Sequence, residues 1–172
     1  MNDDNLFHAT VPVFRHYLGQ IDQILSRVVD TGSSALERRL TPDMFSAGEH
    51  LRTSQGFVLR TLCPLIGREP FEPSTDQPDP AGLGQRSREI RVFLHSLSAA
   101  DFEGAGDRDI THRAGQAELS QSASHFVTTF ALPNFFFHLT MGYATLRQAG
   151  IPIGKVDFDG QHFYPSGFSF TS

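Results

Sequence analysis

Tryptophan is absent from this chain of 172 residues, and cysteine occurs once, as Cys63. A single cysteine excludes an internal disulfide framework and fits a reducing compartment. A basic excess is absent too. The net charge is −5, and Arg38-Arg39 is the one adjacent basic pair, too little for a phosphate-binding stripe. Nucleic acid is therefore not an expected partner. No apolar run reaches the ~18 residues that a membrane span needs, so no membrane partner is expected. The first residues, Met1-Asn2-Asp3-Asp4, are acidic and lack a signal-peptide pattern. A cytoplasmic protein is the expectation. Internal repeats, a nucleophile elbow, a phosphate loop and a CxxC pair are missing as well.

What is present describes one globular domain over residues 1–172. Thirty-nine per cent of the residues are hydrophobic and nineteen per cent charged, which is not a disordered composition. The sixteen phenylalanines crowd the last third, which places an apolar pocket there.

Periodicity divides the chain into four helices. Phe14, Leu18, Ile21, Leu25 and Val28 recur at helical spacing and predict a first helix over 12–29, with Thr10 as cap and Pro12 in its first turn. Thr41-Pro42 predicts the start of a second helix over 42–65, ended by Pro64 and Gly67, with Asp43 complementing its dipole. Asp79-Pro80 opens a third, over 81–97, after a proline-rich loop. Residues 98–118 read as irregular, with Asp107–Thr111 open to an extended conformation. A fourth helix, 120–149, carries Pro133 in its middle, which predicts a kink and a freed carbonyl one turn earlier. Four long helices and no convincing sheet make an all-α four-helix bundle with a long aromatic C-terminal tail. Phe158, Phe163, Tyr164, Phe168 and Phe170 in that tail predict burial on the bundle or in a homodimer.

Two stretches carry candidate chemistry. Asn134 and His138 are spaced i, i+4 and project from one helical face. His50 lies beside the inner face of the second helix, among the small residues Ala47, Gly48 and Ser54. A donor from another helix would complete the minimum for an open metal site, and His50 is the best candidate. Phe130, Phe135, Phe137 and Met141 would wall the pocket. Tyr143 stands one turn beyond, as a candidate proton donor. Cys63 reads as packed rather than reactive. Lys155 and Asp157 read as anchors of the tail.

Leu6–Val28, Arg39–Phe45 (RLTPDMF), Leu132–His138 (LPNFFFH), Tyr143–Arg147 (YATLR) and Gly154–Phe158 (GKVDF) resemble, in this order, an uncharacterised domain-of-unknown-function family. That family is similar to the DinB/YfiT-like superfamily of four-helix bundles. The resemblance implies the bundle fold. It also implies a divalent metal, Zn or Ni, held by one histidine on the second helix and a pair spaced i, i+4 on the last. His50 and His138 match the outer ligands. Asn134 falls at the middle one, where an amide oxygen is a weaker donor than imidazole or carboxylate. Several superfamily members are thiol-dependent transferases or isomerases, so the resemblance is compatible with a low-molecular-weight thiol and implies a small-molecule substrate.

Two functions compete. The first is a metal-dependent isomerase or thiol transferase acting on a small, partly apolar molecule. The second is a non-catalytic, metal-free dimeric module, in which His138 and Asn134 satisfy each other and the carbonyl freed by Pro133.

Overall fold

A computed structural model describes residues 1–165, 168 and 169. Phe170 lies outside the described residues.

Helix α1 runs Asp3–Thr31 and starts well before the predicted position. Its cap is Asn2, whose Oδ1 accepts from Asn5 N at 2.8 Å. Thr10 is fully buried mid-helix and donates its hydroxyl to Leu6 O at 2.7 Å. Pro12 therefore sits inside the helix, where one amide bond is lost. Leu6, Val11, Phe14, Leu18, Ile21, Leu25 and Val28 form its buried stripe.

Helix α2 runs Ala47–Leu65 and begins later than expected. Thr41-Pro42 makes a turn instead, with Met44 N bonded to Thr41 O at 3.1 Å. The true start is a capping box. Ser46 Oγ accepts from Glu49 N at 3.2 Å, and Glu49 Oε2 accepts from Ser46 N at 2.7 Å. Glu49, not Asp43, occupies the first turn. The box fixes where α2 begins and thus where His50, one residue later, points. The predicted end holds: Arg68 N reaches back to Cys63 O at 2.8 Å past the left-handed Gly67.

Helix α3 runs Pro80–Ser96, with Asp79 Oδ1 accepting from Gly82 N at 2.7 Å. The predicted cap and proline stand as read.

A small antiparallel sheet follows, so the chain is mostly helical rather than all-α. Strands β1 (Asp109–Ala114) and β2 (Ala117–Ser122) pair from Asp109↔Ser122 to Ala114↔Ala117. Their two-residue connection puts Gly115 at φ +61°, and among the described residues no non-glycine residue has positive φ; type II′ hairpin turns need this combination.

The predicted fourth helix begins only after this hairpin. A short α4 (Ala123–His125) runs into a π-helical turn over Phe126–Ala131 and then into α5 (Leu132–Gln148). The irregularity expected from Pro133 takes the form of this widened turn, directly before the proline. A last short helix, α6 (Lys155–Asp159), docks on α1. Gln20 donates to Val156 O and Asp157 O, both at 3.1 Å, and His16 Nε2 bonds Asp159 O at 2.8 Å.

Helices α1, α2, α3 and the α4–α5 rod surround one core, with α5 lying chiefly against α2 and α3 against α1. At the α2–α5 crossing, a Cβ built on Gly142 would stand 2.9 Å from Leu51 Cδ2 and 3.3 Å from Ala47 O. Only glycine lets the two backbones approach this closely. Of the tail aromatics, Phe158 packs on Tyr17 and Tyr143, while Phe163, Tyr164 and Phe168 are exposed. Among the described residues no helix is long and apolar enough to cross a membrane.

Candidate functional site

The close α2–α5 crossing brings His50 and His138 together. Their Nδ1 atoms stand 3.0 Å apart, a hydrogen bond in which one imidazole donates and the other accepts. His50 is only 3% exposed. Its Nε2 is buried and has no partner among the described residues. His138 is half-buried.

The environment keeps both rings neutral. Burial lowers the His50 pKa, opposed by Glu49 and aided by Arg39. His138 is pushed down to about 4, first by burial, then by His50 and Arg60.

Aromatic rings frame the pair. Phe45 and Phe57 lie near-parallel to the His138 ring, at 6.0 and 5.8 Å between centroids. Phe137 stands edge-on to both histidines, at 6.1 Å from His50 and 5.1 Å from His138. Phe45 and Phe137 are 46% and 52% exposed, so the frame opens to solvent. Behind Phe57, Arg60 places its guanidinium carbon 4.4 Å above the ring and donates to Arg113 O in β1 at 3.1 Å. The arrangement is a neutral hydrogen-bonding pair in an apolar, half-open frame.

The other predicted residues are distributed around this pair unevenly. Asn134 makes no hydrogen bond to either imidazole. Its Nδ2 donates to Phe130 O in the π-helical turn, at 2.7 Å. Asn134 and His138 therefore do not satisfy each other, contrary to the expectation for the metal-free module; Asn134 bonds Phe130 O instead. Phe130 lies one ring away, against Phe57 and against His112 of β1. Phe135 is fully buried against Phe14, Tyr17 and Phe136 on the α1 side. Met141 is partly buried, and its carbonyl accepts from Thr145. Tyr143 packs on Phe158 of α6 instead of the pair. Cys63 is buried, and burial pushes its thiol pKa up, as suits a packed side chain.

Phe45 and Phe57 escape the sequence as site residues. Phe45 ends the PDMF block, and its position just before the Ser46 cap is the available signal. Phe57 is one apolar residue among many on α2.

The donor set decides how well a metal would fit. Both imidazoles are neutral, as ligands must be. Two imidazoles on one tetrahedral zinc stand about 3.3 Å apart, a little more than the 3.0 Å here. An open catalytic zinc site uses three protein ligands, however. Among the described residues no His, Cys, Asp or Glu completes a group of three, and the Asn134 amide is committed to Phe130 O. The residues present do not fit a resident zinc or nickel ion.

The helical order and the α2–α5 crossing make a mostly helical bundle of DinB-like fold. Over 95% of this chain and 97% of the other, the structure is similar to the crystal structure of a DinB family member protein from Shewanella denitrificans, with a TM-score of 0.80 and 24% sequence identity. The chain belongs to the DUF1993 family, a domain of unknown function, whose model matches residues 6–159. No curated protein matches the chain.

Proposed function

We propose that the protein is a binding module for a small, partly apolar molecule bearing a hydrogen-bond acceptor, which seats on the His50–His138 pair without a metal. The observation that supports this is the 3.0 Å contact between two neutral imidazoles at a half-open aromatic frame. A buried N–H without a partner costs more than a buried lone pair without one. We therefore assign the shared proton to His50 Nδ1, which leaves only a lone pair at the orphaned Nε2. His138 then accepts at Nδ1 and carries its own proton on Nε2. That Nε2 has no protein partner among the described residues, and unlike His50 Nε2 it is not sealed from solvent. It is the donor a ligand carbonyl would meet, with Phe45 and Phe137 covering the apolar part.

A binding role suits the electrostatics better than proton transfer. General acid–base groups work best with a pKa near the operating pH, and His138 sits at about 4. The metal-dependent isomerase or thiol transferase implied by the wider superfamily needs a third donor that this arrangement does not supply.

Acetophenone, a neutral carbonyl on an apolar ring, is a suitable probe. In an NMR titration it should move the ring signals of His138 first and those of His50 through the shared hydrogen bond. His138→Phe should abolish the effect while the protein stays folded. Zinc chloride titrated calorimetrically into the wild type should show no tight one-to-one uptake. Tight uptake that His138→Ala removes would replace this proposal with the metal-dependent one.

A further inference from the structure

Two of the sequence blocks have no part in the histidine site. Tyr143–Arg147 closes α5, and Gly154–Phe158 forms α6. The fold brings both to one groove of about 540 Å³, together with the start of the tail. This volume falls within the range of small-molecule sites, roughly 300–1,000 Å³.

The charge of the lining is one-sided. Arg147, Lys155 and His162 line the groove, and no Asp or Glu does. Lys155 is the only lysine of the chain. Arg147 has no carboxylate within ion-pair distance among the described residues; its one hydrogen bond is a long contact to Tyr143 OH at 3.5 Å. Two acids adjoin the lining, and both are held. Asp157 accepts from Gly154 N at 2.7 Å and faces Arg27 Nε at 3.8 Å. The second is Asp159. Its carboxylate accepts from Gln161 N at 2.9 Å, His162 N at 3.1 Å and His162 Nδ1, and it pairs with Lys155 Nζ at 3.1 Å. Burial opposes ionisation, but these donors together outweigh it and keep the carboxylate ionised, with 11% side-chain exposure. A cationic hollow on a chain of net charge −5 is a local feature, not a general attraction for anions.

The remaining walls are flat rings. Tyr164 stacks on Phe168 at 4.6 Å with an interplanar angle of 9°, and Tyr143 supplies a third ring. An anionic end fits Arg147, whose planar guanidinium suits carboxylate and phosphate oxygens alike, and a ring fits the stacked aromatics.

We propose that this groove binds a small organic anion with a flat ring, its charge on Arg147 and Lys155 and its ring against Tyr143, Tyr164 and Phe168. Carboxylate and phosphate monoester share this chemistry. The site is separate from the histidine pair and does not depend on the role proposed for it.

Benzoate, phenyl phosphate, benzyl alcohol and inorganic phosphate test it by amide NMR titration of the full chain. Benzoate or phenyl phosphate should shift Gly154, Lys155, Val156 and His162. The better of the two identifies the anionic group. Benzyl alcohol and inorganic phosphate, lacking charge or ring, should each bind at least about tenfold more weakly. Arg147→Gln should weaken the ring anion by about tenfold or more, and the exposed Arg88→Gln on α3 should leave it unchanged. Arg147 is exposed, so its loss spares the fold. Shifts centred elsewhere, equal binding by all four probes, no saturable binding, or indifference to Arg147→Gln would each overturn the proposal.

Discussion

Single residues mark both the reach and the limit of the sequence. The i, i+4 rule places Asn134 and His138 on one face, and the inner stripe of α2 places His50 near them. The structure does bring His50 and His138 into contact. Helical spacing says nothing about which way a short amide turns, and Asn134 turns back to Phe130 O. Phe135 was legible as apolar but not as facing α1, because an all-apolar run hides its own periodicity. The pair also makes a pH prediction. His138 titrates at about 4 when folded, against an ordinary value of 6.5. Between those values the unfolded chain binds more protons than the native one. Stability from this group is therefore complete above pH 6.5 and falls as the pH drops towards 4. His138 alone should cost about 2 kcal/mol in urea unfolding between pH 7 and pH 4.5; His50, also lowered by burial, adds to the loss in the same direction, so His138→Phe should lessen the loss without abolishing it. Depressed carboxylates such as Glu89, at about 2 through its bonds to Ser74 and Gln85, act below this window.

At the scale of elements, what was legible followed apolar periodicity and capping chemistry. Helix α3 and the end of α2 stand close to where caps and glycines put them. The early start of α1 was hidden because Thr10-Pro12 mimics a helix start, while Asn2 carries the actual cap. The start of β1 was legible in the extended reading of Asp107–Thr111, whereas β2 was hidden because it is almost wholly exposed and lacks an alternating apolar face; Gly115 marks the turn. At this position alanine must adopt φ +61°, so Gly115→Ala should cost about 1 kcal/mol in urea unfolding. Gly142 should be less tolerant. Alanine there gains about 1 kcal/mol of helix propensity but meets Leu51 and the Ala47 carbonyl. Overpacking of this kind costs roughly 1–3 kcal/mol. Gly142→Ala should therefore destabilise the fold on balance. It should also move the ring signals of His50 and His138, since α2 and α5 carry one histidine each. Unchanged ring signals would mean that the crossing does not set the pair.

For the whole molecule, the family match covers residues 6–159 and stops where α6 ends. The bundle, the histidine pair and the docking of α6 on α1 all lie inside that span, whereas most of the tail aromatics lie beyond it. Phe163 is 79% exposed, with Tyr164 and Phe168 at 41% and 48%. Phe163 lies outside the groove lining, and a large ring this exposed is unusual on a monomer; we propose a homodimer that buries Phe163 and leaves the groove open. A chain truncated after Gly160 separates these assignments. The contacts of Gln20 and His16 to α6 remain, so its circular dichroism should keep the helical signal of the full chain. Acetophenone should still shift His138, because every residue framing the pair is retained. Ring-anion binding should fall sharply with the loss of His162, Tyr164 and Phe168. In sedimentation, the full chain should run as a dimer and the truncated one as a monomer. A full chain that stays monomeric at high concentration would refute the dimer and leave both ligand sites standing, since neither borrows a residue from a second copy.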